Sequence, residues 1–167
     1  MDHIEKEQAL VKKLRDSFRE DIVDITVFRG DVAILIDRSA IKSICSFLKK
    51  DPEFDMNFLV DVLGVDYLPR VPRFEVVYHL YSINKKHRVR VKARVGENET
   101  VPSVTGIWAG ADWPEREAYD MFGIVFDGHP NLKRIYLPPE WEGFPLRKDY
   151  PLRGYKDRYN PFGEEKE

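Results

Sequence analysis

The stretch RFEVVYHLYSINKKHRVRVKARV, residues 73–95, contains two β-strands and the turn between them. In its second half, apolar residues at odd positions from Val89 to Val95 follow His87 and alternate with cations at even positions. A period of two predicts a strand with one face in the core and the other outside it. The same parity in the first half assigns four residues to the core face: Phe74, Val76, Tyr78 and Leu80. The stretch therefore predicts an antiparallel hairpin.

The other face of this hairpin carries a stripe of four cations, Arg88, Arg90, Lys92 and Arg94. Parity adds Glu75 and His79 to the same face. Residues 67–95 hold eight basic side chains and one acidic one, whereas residues 96–127 hold one basic and seven acidic. Two interpretations of the stripe stay open: a solvated sheet face, or a docking face for an acidic partner or nucleic acid.

Two helices and a second hairpin are predicted before this stretch. The first helix covers residues 3–20, and its apolar face consists of Ile4, Val11, Leu14 and Phe18. Two β-rich runs separated by Gly30-Asp31 form the hairpin. Ser39 is the predicted cap of the second helix, which places Cys45 on a buried apolar face.

The rest of the chain adds one strand, one helical region and an arm. Residues 57–67 are apolar on both faces, which predicts an internal strand. Residues 103–123 are predicted as a helix in two pieces, the second of which begins at Asp112 and ends at Gly123. Six of the 11 prolines lie in residues 130–161 together with several aromatic residues, and no periodicity persists there. This composition predicts an extended segment rather than a disordered tail, which would be poor in aromatic residues.

The predicted fold class is α+β. Residues 1–127 form a two-layer domain with an antiparallel or mixed sheet of about five strands and helices on one face. Residues 128–167 form the extended C-terminal arm. Its aromatic and arginine side chains suit anchors for another protein, because such residues are enriched in interfaces. The alternative is an arm that wraps back on its own domain.

Composition argues against most kinds of catalytic or redox site. The single cysteine excludes an internal disulfide and an iron–sulfur cluster held by this chain alone. The four histidines are scattered, and no glycine-rich phosphate loop is present. We expect no catalytic residue, no bound cofactor and no metal site. The short apolar runs and charged N-terminus indicate an intracellular protein.

The most tempting site is DWPEREAYDMFG, residues 112–123, with carboxylates at Glu115, Glu117 and Asp120. Helical geometry spreads the three around the helix, which argues against a small carboxylate enzyme. Glu115 is predicted to form a capping box with Asp112. Arg116 and Asp120 have the i, i+4 spacing of a surface ion pair.

Residues 115–152, EREAYDMFGIVFDGHPNLKRIYLPPEWEGFPLRKDYPL, strongly resemble the thirty-kilodalton subunit family of proton-pumping NADH:quinone oxidoreductase, respiratory complex I. The likeness covers about residues 55–153 and includes RFEVVYHLYS and RVRVKA. Phe144 departs from the family, in which a histidine is frequent. The motif positions, interpreted as structural and interface residues, are Glu115, Arg116, Glu117, Asp120, Gly123, His129, Pro130, Trp141, Gly143, Pro145, Leu146, Arg147, Lys148, Asp149 and Tyr150.

The resemblance implies a non-redox subunit in the peripheral arm of the complex, on the cytoplasmic side of the inner membrane. Its partners would be the quinone-cavity subunit, the subunit that holds the terminal iron–sulfur cluster and other peripheral-arm subunits. FMN and the iron–sulfur clusters would lie in those partners, and membrane contact would come only through the complex. The resemblance also favours partner binding by the C-terminal arm, with Trp141, Arg147, Asp149 and Tyr150 as its anchors.

Two alternatives remain. Membrane-bound hydrogenases and deazaflavin-dependent dehydrogenases use related subunits. An RNA-binding α+β module would rest on the cation stripe alone, and the acidic balance elsewhere in the chain argues against it.

Overall fold

The structure is a computed structural model that describes residues 3–165, with side chains described from residue 9 onward. The helices are α1 (His3–Ser17), α2 (Ile41–Lys50) and α3 (Asp112–Phe122), and short 3₁₀ turns precede α2 and α3. The strands are β1 (Ile22–Phe28), β2 (Asp31–Ile36), β3 (Phe58–Asp66), β4 (Phe74–Ser82), β5 (His87–Val95), β6 (Thr100–Pro102) and β7 (Val125–Asp127).

Five strands form one mixed sheet in the order β1-β2-β5-β4-β3. The predicted hairpin is confirmed as β4 and β5, which pair antiparallel from Phe74 opposite Val95 to Ser82 opposite His87. The hairpin around Gly30 is confirmed as β1 and β2, and β2 runs parallel to β5. Strands β6 and β7 form a small parallel sheet that sequence patterning did not predict, because three-residue strands show no periodicity.

One hydrophobic core lies between the sheet and the helices. The alternate residues of β4 and β5 predicted to face inward are buried, and they pack with apolar residues of all three helices. Cys45 of α2 is fully buried in this core, as predicted. The two-layer α+β class is therefore confirmed, and one face of the sheet carries the helices.

The prediction that residues 57–67 form an internal strand is wrong. Strand β3 is an edge strand, and among the described strands it pairs with β4 alone. Its second apolar face is left partly open, since Phe58 is 47% exposed and Leu63 is 41% exposed. Apolar residues on both faces of a strand therefore did not indicate a neighbour on both edges.

Two helix ends also differ from the prediction. Helix α1 ends at Ser17, and the side chain of Ile4 lies outside the described residues. The cap before α2 is Asp37 rather than Ser39: its carboxylate accepts hydrogen bonds from the Ser39 backbone N–H (2.8 Å) and hydroxyl (2.6 Å). The reason is a 3₁₀ turn, Arg38–Ala40, which places the first free N–H groups ahead of the α-helix.

Candidate functional site

The first part of the C-terminal arm folds back onto the domain at two ionic clusters, one at α3 and one at the β3–β4 connection. The first is centred on Asp120, whose side chain is fully buried. One carboxylate oxygen accepts from three successive backbone N–H groups, those of Ile135 (2.9 Å), Tyr136 (2.8 Å) and Leu137 (3.2 Å). The other accepts from Arg134 Nη1 at 2.8 Å. The Asp120 carboxylate therefore fixes a turn of the arm against α3.

Arg134 extends this cluster along the arm. Its Nη2 donates to the carbonyls of Trp141 (3.2 Å) and Gly143 (3.0 Å). Burial alone would raise the pKa of Asp120, but the backbone and Arg134 hydrogen bonds outweigh burial and lower it. The carboxylate is thus held in its ionised form, the form that can accept all four donors.

The predicted Arg116–Asp120 pair is wrong. Arg116 donates instead to the carbonyl of Lys133 at 3.0 Å, and its guanidinium lies 4.9 Å from the Trp113 ring centroid. The i, i+4 spacing permits a pair on an exposed helix face, but the arm covers this face and supplies closer donors to Asp120. Both residues bind the arm, at different points.

The second cluster is centred on Arg73, which is 6% exposed. Its guanidinium binds the Asp66 carboxylate through two bonds (2.9 and 2.7 Å) and the Asp149 carboxylate through two more (2.8 and 2.6 Å). Glu97 contacts it as well. Two-pronged arginine–carboxylate pairs are strong and geometrically specific. Arg73 therefore joins the end of β3 to residue 149 of the arm.

Asp66 completes the cluster from the domain side. Its carboxylate also accepts from the backbone N–H of Lys148 at 2.8 Å. Burial opposes ionisation of Asp66, yet its pKa lies well below the ordinary range because Arg73 and two backbone N–H groups donate to the charged form. The Asp149 pKa is lowered by its hydrogen bonds from Arg73.

Between the clusters, the arm packs against the C-terminal end of α3. Arg147 Nε donates to the Phe122 carbonyl at 2.7 Å, where a cation complements the helix dipole. Its guanidinium lies 4.5 Å from the Phe144 ring centroid. Gly123 has φ +76°, and a Cβ there would meet the Phe144 ring at 2.6 Å. Glycine is therefore required both by the backbone and by the arm packed over it.

The predicted capping box at Glu115 is also wrong. Glu115 is fully buried, and its carboxylate accepts from the Val104 N–H at 2.7 Å, outside its own helix. Among residues 9–165, no side chain caps the α3 N-terminus. Burial raises the pKa of Glu115 above its ordinary value. The helix carries this carboxyl into the core, where it ties down the loop that leads into α3.

His129 closes the other side of α3. Its Nδ1 accepts from the Asn131 N–H at 3.0 Å, which places the imidazole proton on Nε2. Nε2 lies 3.2 Å from the Asp112 carbonyl oxygen and 3.2 Å from Asp112 Oδ1. The His129 ring thus joins the beginning of the C-terminal arm to the beginning of α3.

The raised pKa of Glu115 gives a prediction for pH. Since the folded chain holds this proton more tightly than the unfolded chain, the contribution of Glu115 to stability is fully present below its unfolded pKa of about 4.3 and is lost as the pH rises through its folded pKa. Glu115→Gln keeps an acceptor for the Val104 N–H and removes the titration. We expect the unfolding midpoint of the variant in denaturant to rise relative to the native chain as the pH is raised from about 4 through the folded pKa of Glu115.

Glu115→Ala is the control, because it leaves the Val104 N–H without its acceptor and should be destabilised at every pH. A difference between Glu115→Gln and the native chain that does not change with pH would contradict the assigned pKa direction.

The family model described as "Respiratory-chain NADH dehydrogenase, 30 Kd subunit" matches residues 34–156. The chain belongs to this family. It is 52% identical over 149 residues to the NADH-quinone oxidoreductase C subunit numbered 2 of Rhizobium meliloti, covering 89% of this chain and 82% of that protein. It is 47% identical to the NADH-quinone oxidoreductase C subunit of Geotalea uraniireducens, covering 92% of each.

A solved structure shows the same fold. A chain of the membrane-bound sulfane sulfur reductase, an archaeal respiratory membrane complex, superposes with a TM-score of 0.74 over 88% of this chain and 86% of that chain, at 22% identity. The chain is therefore a 30 kDa subunit family member, and its family forms part of a multi-subunit oxidoreductase complex of the respiratory chain. Within residues 3–165, no helix is both long and apolar enough to span a membrane.

The motif of the 30 kDa subunit family divides into two groups in this structure. Seven of its residues bind the arm to the domain: Asp120, Gly123, Arg147, Lys148, Asp149 and, at the two ends of the contact, Arg116 and His129. Glu115 binds the loop before α3, and Glu117 accepts from the Tyr136 hydroxyl at 3.2 Å. The three motif carboxylates thus diverge, and no metal-capable group of three or more ligands occurs in the described residues.

The remaining motif residues lie on or near the surface of the arm. Pro130 and Leu146 are exposed, Pro145 is half-buried, and Tyr150 packs edge-on against Tyr155 at 5.2 Å. Gly143 has φ +82° beside Tyr150. Trp141 is half-buried, and its indole N–H has no hydrogen-bond acceptor among the described groups.

Sequence reasoning missed four members of the ionic clusters: Asp66, Arg73, Glu97 and Arg134. Asp66 ends β3 and Arg73 directly precedes β4, so opposite charges flank one strand connection. That signal was present in the sequence. Arg134 lies within the quoted family stretch, but no local pattern links it to Asp120.

Proposed function

We propose that this chain is a non-redox subunit of the peripheral arm of NADH:quinone oxidoreductase. It supports assembly of the complex and electron transfer from NADH to quinone coupled to proton translocation. The subunit acts as structural support and contributes no catalytic residue of its own. FMN and the iron–sulfur clusters belong to partner subunits in this proposal.

The proposal rests on the contacts that the acidic residues of the family motif make within this chain. Asp120 and Asp149 each bind a positively charged guanidinium, and Glu115 accepts from a backbone N–H in the core. Carboxylates engaged in this way stabilise the shape of the backbone, which supports a structural use of these motif residues. The shape they stabilise is the C-terminal arm.

The distal half of the arm supports partner binding. Leu152 is 101% exposed and Phe162 is 88% exposed, and Tyr159 is 57% exposed nearby along the chain. Large apolar side chains left in water at this density indicate a surface that another protein covers. We assign that surface to the quinone-cavity subunit and the subunit with the terminal iron–sulfur cluster, on the cytoplasmic side of the inner membrane.

The assignment of partner anchors changes accordingly. Arg147 and Asp149, expected from sequence to contact a partner, are engaged by Phe122 and Arg73 of their own chain. Their effect on assembly is therefore indirect, through the position of the arm. Leu152 and Phe162 replace them as the residues expected to contact the partner directly.

The test is purification of the complex through a tag on this chain in mild detergent. We expect the other subunits to co-purify with NADH:quinone activity. Leu152→Ser with Phe162→Ser should reduce the recovered complex strongly, since buried interface anchors each contribute about 2 kcal/mol or more. Activity per recovered complex should stay unchanged, because no reacting group is removed.

Val23→Ser is the matched control: Val23 is 63% exposed on β1, far along the chain from the arm, and its loss should leave recovery unchanged. Full recovery of the double variant would overturn the arm as a partner anchor. Co-purification of hydrogenase-type subunits without NADH oxidation would overturn the NADH:quinone assignment itself.

A further inference from the structure

The sheet has a second face that none of the three helices covers, since the single core lies on the helical side. We call this the open sheet face. Register places residues on it in rows across the sheet: one row runs through Leu35, Lys92 and Val77 to Leu63, and the next through Ala33, Arg90 and His79 to Asp61. Cations from β5 therefore form the central column. The row through Lys92 is apolar on both sides, whereas the row through Arg90 has Ala33 on one side and the polar His79 and Asp61 on the other.

The composition of the open sheet face suits a protein interface. At Glu75 and Val77 the face is already covered by the chain itself, since these residues are 4% and 7% exposed, and an exposed apolar part of it lies on β3. Phe58 and Leu63 are 47% and 41% exposed on this face. An antiparallel sheet face in contact with water alone usually carries polar residues at such positions.

Acidic side chains of the same chain pair with most of the cations. Arg90 binds Asp31 at 2.7 Å. Glu75, which is 4% exposed, lies within 3.5 Å of Lys92 and of Arg70 and within 4.0 Å of Arg94. One carboxylate thus faces three cations, so positive charge is in excess at this end of the face. This pairing argues against a phosphate backbone as the ligand, which would need a row of unpaired cations.

Arg88 is the exception within the described residues. It is exposed and has no acidic partner there. A shallow cavity of about 270 Å³ lies beside it, and its polar lining comes from Arg88, Arg90, His79 and Tyr81. Val60 supplies an apolar wall. The cavity is large enough for one side chain, and an unpaired guanidinium with a phenol at its rim matches a carboxylate.

Burial and the charge of Arg90 lower the pKa of His79, so this imidazole is neutral in the free chain. The other charged groups near it are Lys92, which also lowers its pKa, and Asp61 and Asp31, which raise it. The positive charge at the cavity therefore comes from the two guanidinium groups, of which Arg90 is already paired.

We propose that the open sheet face docks another subunit of the same complex and that an acidic side chain of that subunit occupies the cavity against Arg88. The apolar residues Phe58 and Leu63 provide the contact area, and Arg88 provides the specific charge. This inference rests on the proposed function, because it takes its partner from the complex. It assigns a second interface, separate from the C-terminal arm.

The test is zero-length cross-linking in the purified complex. Arg88→Lys keeps the positive charge and introduces a primary amine, which carbodiimide joins to a carboxylate in direct contact. Mass spectrometry is expected to find an amide between position 88 and an aspartate or glutamate of another subunit. Arg19→Lys is the matched control, since Arg19 is exposed in the turn between α1 and β1 and should give no such link.

A second experiment uses charge reversal. Arg88→Glu should lower several-fold the fraction of this subunit retained by the complex after a salt wash, compared with Arg19→Glu. The proposal would be overturned if every link found at position 88 were within this chain, to Asp31 or Asp61. It would also be overturned if the complex retained the Arg88→Glu and Arg19→Glu variants equally. Nucleic acid that co-purifies and is lost on Arg88→Glu would also overturn it. If the proposed function itself is wrong, the result is different: the tagged chain recovers no complex at all.

Discussion

Asp120→Ala is expected to lower the free energy of unfolding by about 3–5 kcal/mol, the cost of leaving the partner of a buried ion pair without its counter-charge. The substitution removes the acceptor of Arg134, whose side chain is 14% exposed, and of three successive backbone N–H groups. Residues 134–143 should then lose their main attachment to α3. Denaturant unfolding of the purified chain measures the first effect, and faster protease cleavage in this segment measures the second.

Glu117→Ala is the matched control on the same helix. Glu117 is exposed and, within the part of the chain that the structure describes, accepts a hydrogen bond from the Tyr136 hydroxyl alone, so its removal should leave the unfolding free energy unchanged within error. Asp120→Asn should fall between the two, because it keeps one acceptor oxygen but loses the charge opposite Arg134. Similar effects of Asp120→Ala and Glu117→Ala would show that the arm does not depend on the Asp120 cluster.

Arg73→Met is also expected to lower the free energy of unfolding by about 3–5 kcal/mol. The Asp66 side chain is 2% exposed and would lose its one guanidinium partner among the described residues, leaving an uncompensated charge. The Asp149 carboxylate is 52% exposed, so its share of the loss is small and screened by solvent. The measurement is again denaturant unfolding, with cleavage near residue 149 as a report on the end of the arm.

Asp149→Asn separates the two functions of Arg73. It weakens the Arg73 contact with the arm, because the amide keeps one acceptor oxygen but loses the charge, and it leaves the Arg73–Asp66 pair in place. We expect a cost of at most about 1 kcal/mol together with increased cleavage near residue 149. If Asp149→Asn destabilised the chain as much as Arg73→Met, the buried Asp66 pair would not be the main source of stability at this cluster.

The local periodicities of the sequence determined the central hairpin and the helix faces. Alternation over residues 87–95 predicted which side chains of β5 are buried, and the same parity predicted the inward residues of β4. Gly123 marked the end of α3, and Cys45 was placed in the core. These features depend on neighbours a few residues apart, so a sequence pattern contains them. The family resemblance, confirmed by the family match over residues 34–156, came from a longer ordered stretch, residues 115–152.

Only the tertiary structure decided where the charged residues bind. Asp120 binds Arg134 rather than Arg116. Glu115 accepts from the backbone N–H of residue 104 rather than capping its own helix, and Asp66 accepts from a backbone N–H 82 positions away. Strand β3 became an edge strand although both its faces are apolar. Helical and strand periods state which face a side chain occupies, but not which distant segment covers that face. Which segment covers that face depends on the whole chain, because a buried charged side chain forms hydrogen bonds with the groups that the tertiary fold places beside it.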